Sequence, residues 1–130
     1  MIAADTNVLV RLLTNDDARQ SPRAAEVFSS EDVFIAKTVL LETEWVLRAA
    51  YGLSPASIGA AFARLASTAS VSLEDAGAVA HALSWYGAGM DFADAVHLAS
   101  AASASAFVTF DRPLARRAKA AKGAPPVTLL

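Results

Sequence analysis

Ala106-Phe107-Val108-Thr109-Phe110-Asp111-Arg112 decides the fold class. Ala106 to Phe110 is a short run rich in aromatic and β-branched residues, as expected of a strand. An acid follows at once, and then a basic helix over Arg112 to about Lys122. The amino terminus repeats this order. Ile2 to Asp5 reads as a short buried strand ending on an acid, and Val8, Leu9, Leu12 and Leu13 then recur at i, i+1, i+4 and i+5, a helical period.

The intervening chain alternates in the same way. Asn15-Asp16-Asp17 breaks the first helix, and Ser21-Pro22 predicts a new one with Ser21 as N-cap and Pro22 at the first helical position, reaching about Ser29. Val33 to Ala36 is a second strand, and a helix spans Thr38 to about Ala50. Ser54-Pro55 repeats the cap signal for a helix to about Ser67, and Val71 to Leu73 is a weak strand. A helix over Glu74 to Trp85 stops at Gly87 and Gly89, and Asp91 opens another reaching about Ser103. Pro125-Pro126 ends the basic helix, and Val127 to Leu130 forms a last strand. Short apolar strands alternating with helices specify an α/β fold with a mostly parallel sheet. There is no repeat, low-complexity segment or linker, so residues 1–130 are expected to form a single domain.

Composition narrows the function classes. The 130 residues are 55% hydrophobic and 18% charged, enough to bury a core. The absence of cysteine excludes disulfides and thiolate metal sites and favours a cytoplasmic protein. No apolar run approaches the roughly 20 residues of a membrane span, and the start Met1-Ile2-Ala3-Ala4-Asp5 lacks the pattern of a signal peptide. The net charge is only −2, but Arg112, Arg116, Arg117, Lys119 and Lys122 are five of eleven basic residues, and no acid follows Asp111. That segment is either a solvated helix face or a phosphate-contacting surface.

Four acids stand where the chain turns: Asp5, Glu42, Asp94 and Asp111. In parallel sheets, sites form at the carboxyl ends of strands, where Asp5 and Asp111 lie. Gathered together, the four would be tolerable only around a divalent cation. Glu42 and Glu44 point to nearly opposite sides of a helix. Glu42 shares the stripe of Val39 and Val46 and is expected to face inward, whereas Glu44 precedes Arg48 by four residues, as in an exposed ion pair. Asp91, Asp94 and His97 are spaced three apart, with Asp94 the better metal candidate and His97 more at home on the helix surface. Asp5, Asp91 and Asp111 also suit plain N-caps, and Asp94 a first-turn acid stabilised by the helix dipole. Thr6 and Thr109 are placed to hydrogen-bond the carboxylates.

Taken in order, Asp5-Thr6-Asn7, Leu40-Leu41-Glu42-Thr43-Glu44-Trp45-Val46-Leu47, Asp91-Phe92-Ala93-Asp94-Ala95-Val96-His97-Leu98-Ala99 and Thr109-Phe110-Asp111 resemble a PIN domain, and one with nothing appended resembles the VapC-type toxins of toxin–antitoxin pairs. The resemblance implies a three-layer α/β/α fold with a central parallel sheet of about five strands. It implies a Mg²⁺- or Mn²⁺-dependent endoribonuclease that blocks translation by cutting RNA, held in check by a cognate antitoxin, and usually a homodimer. It makes Asp5, Glu42, Asp94 and Asp111 the catalytic acids, with Asp5 and Asp94 binding the metal directly. Thr6, Asn7, Asp91 and Thr109 would stand beside them, and Arg112, Arg116 and Arg117 would hold the RNA backbone. The alternative is a PIN-like module that binds RNA or protein without cutting. A phospho-acceptor fold is disfavoured, because it requires a strand-end Asp and a Lys at the end of a later strand, and of Lys37, Lys119 and Lys122 only Lys37 adjoins a strand, an early one.

Overall fold

The computed structural model describes residues 1–130, which divide into two compact units, Met1–Ala76 and Gly77–Leu130. In the first, β1 (Ile2–Ala3) runs parallel to β2 (Val33–Ile35), with Ile2 opposite Val33, and β3 (Val71–Leu73) lies parallel to β2 on its other side, with Ile35 opposite Leu73. In the second, β4 (Phe107–Thr109) pairs in parallel with β5 (Val127–Leu129). The α/β class with parallel strands is the one expected from the sequence. Parallel neighbours need long crossovers, and helices supply them.

In the first unit these are α1 (Thr6–Thr14), α2 (Gln20–Ser30), α3 (Lys37–Ala49) and α4 (Pro55–Ala66). α1 packs on both α2 and α3, and α4 on α3 and β3. Central β2 buries Val33 and Ile35 completely, and Leu9, Leu40, Leu47, Ile58 and Phe62 complete a dry core. Each such side chain contributes about 1.5–3 kcal/mol by leaving water. The buried stripe of α3 is Leu40, Thr43, Glu44 and Leu47, at i, i+3, i+4 and i+7.

Local chemistry sets the boundaries. Asn15 ends α1 in the left-handed region (φ 49°), as the Asn15-Asp16-Asp17 break predicts. α2 begins at Gln20, one residue before the expected Ser21 cap. The carboxylate of Asp17 takes the Arg19 and Gln20 N–H groups at 2.9 and 2.7 Å, outcompeting the serine hydroxyl. Pro22 still falls in the first turn, where its missing N–H is harmless. Ser54 caps α4 as expected, accepting from the Ser57 N–H at 3.1 Å.

Glu74 does not open the next helix. Its Oε1 accepts the Lys37 N–H at 2.9 Å and so caps α3, whose own N-cap residue, Ala36, has no acceptor to offer. α5 (Ala76–Gly87) starts only after Asp75, at φ 52°.

In the second unit α5 ends at Gly87 and the chain turns away at Gly89, whose N–H reaches the Tyr86 carbonyl while Met90 N–H reaches that of Trp85. This termination needs positive φ (109° here), and a side chain at Gly89 would meet the Arg117 guanidinium at 2.7 Å. α6 (Phe92–Ser100) is anchored by Phe92, edge-on to Tyr86 with ring centres 5.1 Å apart. α7 (Arg112–Ala118) ends four residues short of the expected Lys122, so Lys119 and Lys122 lie beyond it. It packs on β4 and β5. No helix is long and apolar enough to cross a membrane.

Candidate active site

Asp5 is fixed by the elements on either side of it. Ala4 N–H bonds the Phe34 carbonyl, continuing the β1–β2 ladder, and Asp5 Oδ1 then accepts the Val8 N–H at 3.1 Å to cap α1. The plain cap reading is therefore correct for one oxygen. Oδ2 makes no hydrogen bond, and a carboxylate has room for further ligands. Asp5 is exposed at a groove of about 480 Å³ between α1 and α2, lined also by Asn7, Val8, Arg11, Gln20 and Arg23. Asn7 is exposed on the groove wall, whereas Thr6 is buried and makes no bond to the carboxylate.

α3 reverses the expected orientation of its two acids. Glu44 is the buried one, at 4% exposure, and Glu42 is exposed. The ion pair with Arg48 does form, with Arg48 Nε–H donating to Glu44 Oε2 at 2.9 Å, but its acid end lies in the core. The reason is the packing stripe. Position 44 falls between Thr43 and Leu47 on the face that packs inward, while Thr38, Glu42, Trp45 and Ala49 share the solvent side.

In the second unit, Asp94 feels the charges of two other acids, Asp91 and Asp111. Asp91 caps α6, its Oδ1 accepting the Asp94 N–H at 3.0 Å, and Asp111 caps α7, its Oδ1 accepting the Leu114 N–H at 3.0 Å. Thr109 Oγ1 accepts the Asp111 N–H at 3.0 Å, so it steadies the backbone of that acid rather than its carboxylate. Asp94 is half-buried, and burial pushes its carboxyl above the usual range, aided by the charges of Asp91 and Asp111 and opposed by His97. His97 itself is exposed in the last turn of α6, on the surface as expected.

Arg112, Arg116 and Arg117 are all exposed and engaged in no ion pair. Arg112 and Arg116, four apart, share one face of α7. Arg117 folds back over Gly89 beside Trp85 and Met90.

The donor chemistry fits a hard divalent ion: Asp91, Asp94 and Asp111 offer carboxylates, and a cation would offset the like charges that, after burial, raise Asp94. Neither unit by itself brings three His, Asp or Glu side chains to ligating distance. Sequence reasoning missed the groove beside Asp5. Its walls pair positions of α1 with positions of α2, and no local pattern in the chain registers that pairing.

The PIN domain family model matches residues 2–120, and the chain belongs to the PIN domain family. Among solved structures, VapC20 of Mycobacterium tuberculosis, a toxin that cleaves the sarcin–ricin loop, is similar at 24% identity over 97% of this chain and 100% of that one, with a TM-score of 0.44. No curated protein matched the chain.

Proposed function

We propose that this chain is a metal-dependent endoribonuclease, the toxin of a toxin–antitoxin pair, acting as one domain over residues 1–130. The observation that supports the reading is the half-buried Asp94 carboxyl beside two acids, Asp91 and Asp111, that each cap a helix through one oxygen. A cation would offset the like charges there, and membership of the PIN family supports reading these acids as a nuclease centre. Asp5 and Asp94 would hold Mg²⁺ or Mn²⁺ directly, and Glu42 and Asp111 directly or through water. The ion, when bound, supplies an acidified water and positive charge against the phosphate. Asp91 orients Asp94 through its backbone, and Thr109 does the same for Asp111. Thr6 and Asn7 flank Asp5. The unpaired guanidinium groups of Arg112 and Arg116, with Arg117, would grip the RNA backbone. The toxin reading rests on the four ordered motifs, and with it come a cytoplasmic location, a homodimer and an antitoxin partner.

A second reading is a silent PIN-like module that binds RNA or protein. It is favoured by the lack of three acids at ligating distance within either unit. Incubating the antitoxin-free protein with tRNA and rRNA, with Mn²⁺ or with EDTA, separates the two. The nuclease reading requires discrete cuts with the ion that vanish in EDTA and in Asp5→Asn. Binding without cuts would establish the module.

A further inference from the structure

We infer that Trp45 is a stacking platform for an unpaired RNA base next to the scissile phosphate. The inference rests on the nuclease reading and deepens it by naming how that site takes its substrate.

Trp45 is 59% exposed, on a helix whose other exposed positions are Thr38, Glu42, Arg48 and Ala49. It is thus the one large apolar group that α3 leaves in water. Leaving so much apolar surface wet forgoes stabilisation of the order that each core side chain provides. Its ring has no aromatic, cationic or hydrogen-bonding partner, in contrast to Trp85, which is buried and donates to the Lys122 carbonyl at 3.2 Å.

Position decides what it does. Glu42 is three residues earlier on the same solvent side, and such neighbours lie about 5–6 Å apart at Cβ. A base resting on Trp45 therefore brings its own sugar-phosphate within reach of the candidate acid. Surrounding groups argue against a protein contact as the occupant. Charged Glu42 and Arg48 flank it at i−3 and i+3, and the apolar surface on α3 beside it is limited to half-buried Leu41 and exposed Ala49 at i−4 and i+4, whereas protein interfaces need contiguous apolar cores of hundreds of Å². An indole flanked by charged groups on so small an apolar surface suits a base, because every base offers a π-face and stacking tolerates any sequence.

The test uses cleavage-dead Asp5→Asn protein and unstructured single-stranded 12-mer RNAs of mixed sequence. Affinity is read by anisotropy and stacking by quenching of the exposed tryptophan emission, alongside wild-type cleavage of the same RNAs in Mn²⁺. The inference requires quenching on binding and a loss of roughly 5- to 150-fold in affinity for Trp45→Ala. It also requires recovery of most of that loss in Trp45→Phe, and a rise in KM exceeding any fall in kcat in the cleavage-competent background. Cleavage by the wild type with equal affinity in Trp45→Ala would overturn the inference and leave the nuclease reading standing. A changed sedimentation coefficient with unchanged RNA affinity would assign Trp45 to a protein interface and overturn it too. No binding and no cleavage by the parent would overturn both.

Discussion

Asp91 acts on Asp94 in two opposed ways: its Oδ1 accepts the Asp94 backbone N–H at 3.0 Å, fixing the first turn of α6, while its charge raises the proton affinity of the Asp94 carboxyl. Asp111, capping α7, adds to that repulsion. The caps that make the helices begin where they do are thus the groups that charge the site. Structural and functional readings of these acids are not rivals, because a carboxylate capping through one oxygen keeps the other for a ligand.

The burial of Asp94, together with this repulsion, has a definite sign in stability. With the folded pKa of Asp94 above its ordinary 3.8, the unfolded chain releases that proton first as pH rises. Stability is then lost from about pH 3.8 upward through the folded pKa, and the penalty is complete at neutral pH. Asp94→Asn cannot ionise. In EDTA it should melt higher than wild type at pH 7, with the gap closing below pH 3.8. Melting curves between pH 3 and pH 8 check this. An Asp94→Asn protein that melts no higher at pH 7 would contradict it.

Asp16 works in the opposite direction. Tyr51 Oη donates to it at 2.7 Å and Thr14 Oγ1 at 2.7 Å, and with the Arg11 charge they hold its carboxyl down to about 2. This stability is present above the ordinary value of 3.8 and is lost as pH falls through about 2. Asp16→Asn should lower Tm at pH 6 and flatten its fall between pH 4 and pH 2. The same melting series reports it, and an unchanged slope would show that this cluster is not what acid disrupts.

Glu42 and Glu44 should separate cleanly. Glu42 is exposed, so Glu42→Gln should leave unfolding free energy within about 0.5 kcal/mol, while cutting RNA cleavage by roughly 10- to 100-fold. Glu44 is buried and takes two N–H groups of Arg48, at 2.9 and 3.4 Å. Glu44→Gln should therefore destabilise by about 1–3 kcal/mol. Urea unfolding paired with a cleavage assay measures both. A reversed pattern would assign the catalytic role to Glu44 instead.

Thr43 offers a third contrast, since its Oγ1 is buried without a partner. Thr43→Val keeps the shape and removes the stranded hydroxyl. It should be neutral or stabilising by about 1 kcal/mol in urea unfolding, and a clear loss of stability would reveal a partner for that hydroxyl.

The alternation of strands with helices and the placement of the acids were legible because they are local. Each of β1 and β4 is a few apolar residues followed by an acid and a helix, and the caps at Asp5, Ser54, Asp91 and Asp111 sit where cap chemistry puts them. What was not legible depends on packing partners. The inward face of α3 is chosen by its contacts with α1 and α4, which moved Glu44 rather than Glu42 into the core. Glu74 looked like the start of a helix, yet it serves a helix N-terminus 37 residues away in sequence, a pairing that no periodicity encodes. The acids of the candidate site were readable as residues, and their mutual electrostatics only as coordinates.

The central claim is that these acids hold a divalent ion, and melting with and without excess Mn²⁺, for wild type and Asp94→Asn, tests it without any assumption about the RNA. Ion at about 100 times its dissociation constant should add about 2.7 kcal/mol, a rise on the order of 5–15 °C for a chain of this size. The account predicts that rise in wild type and its absence in Asp94→Asn. Equal shifts in both proteins, or none in either, would contradict it.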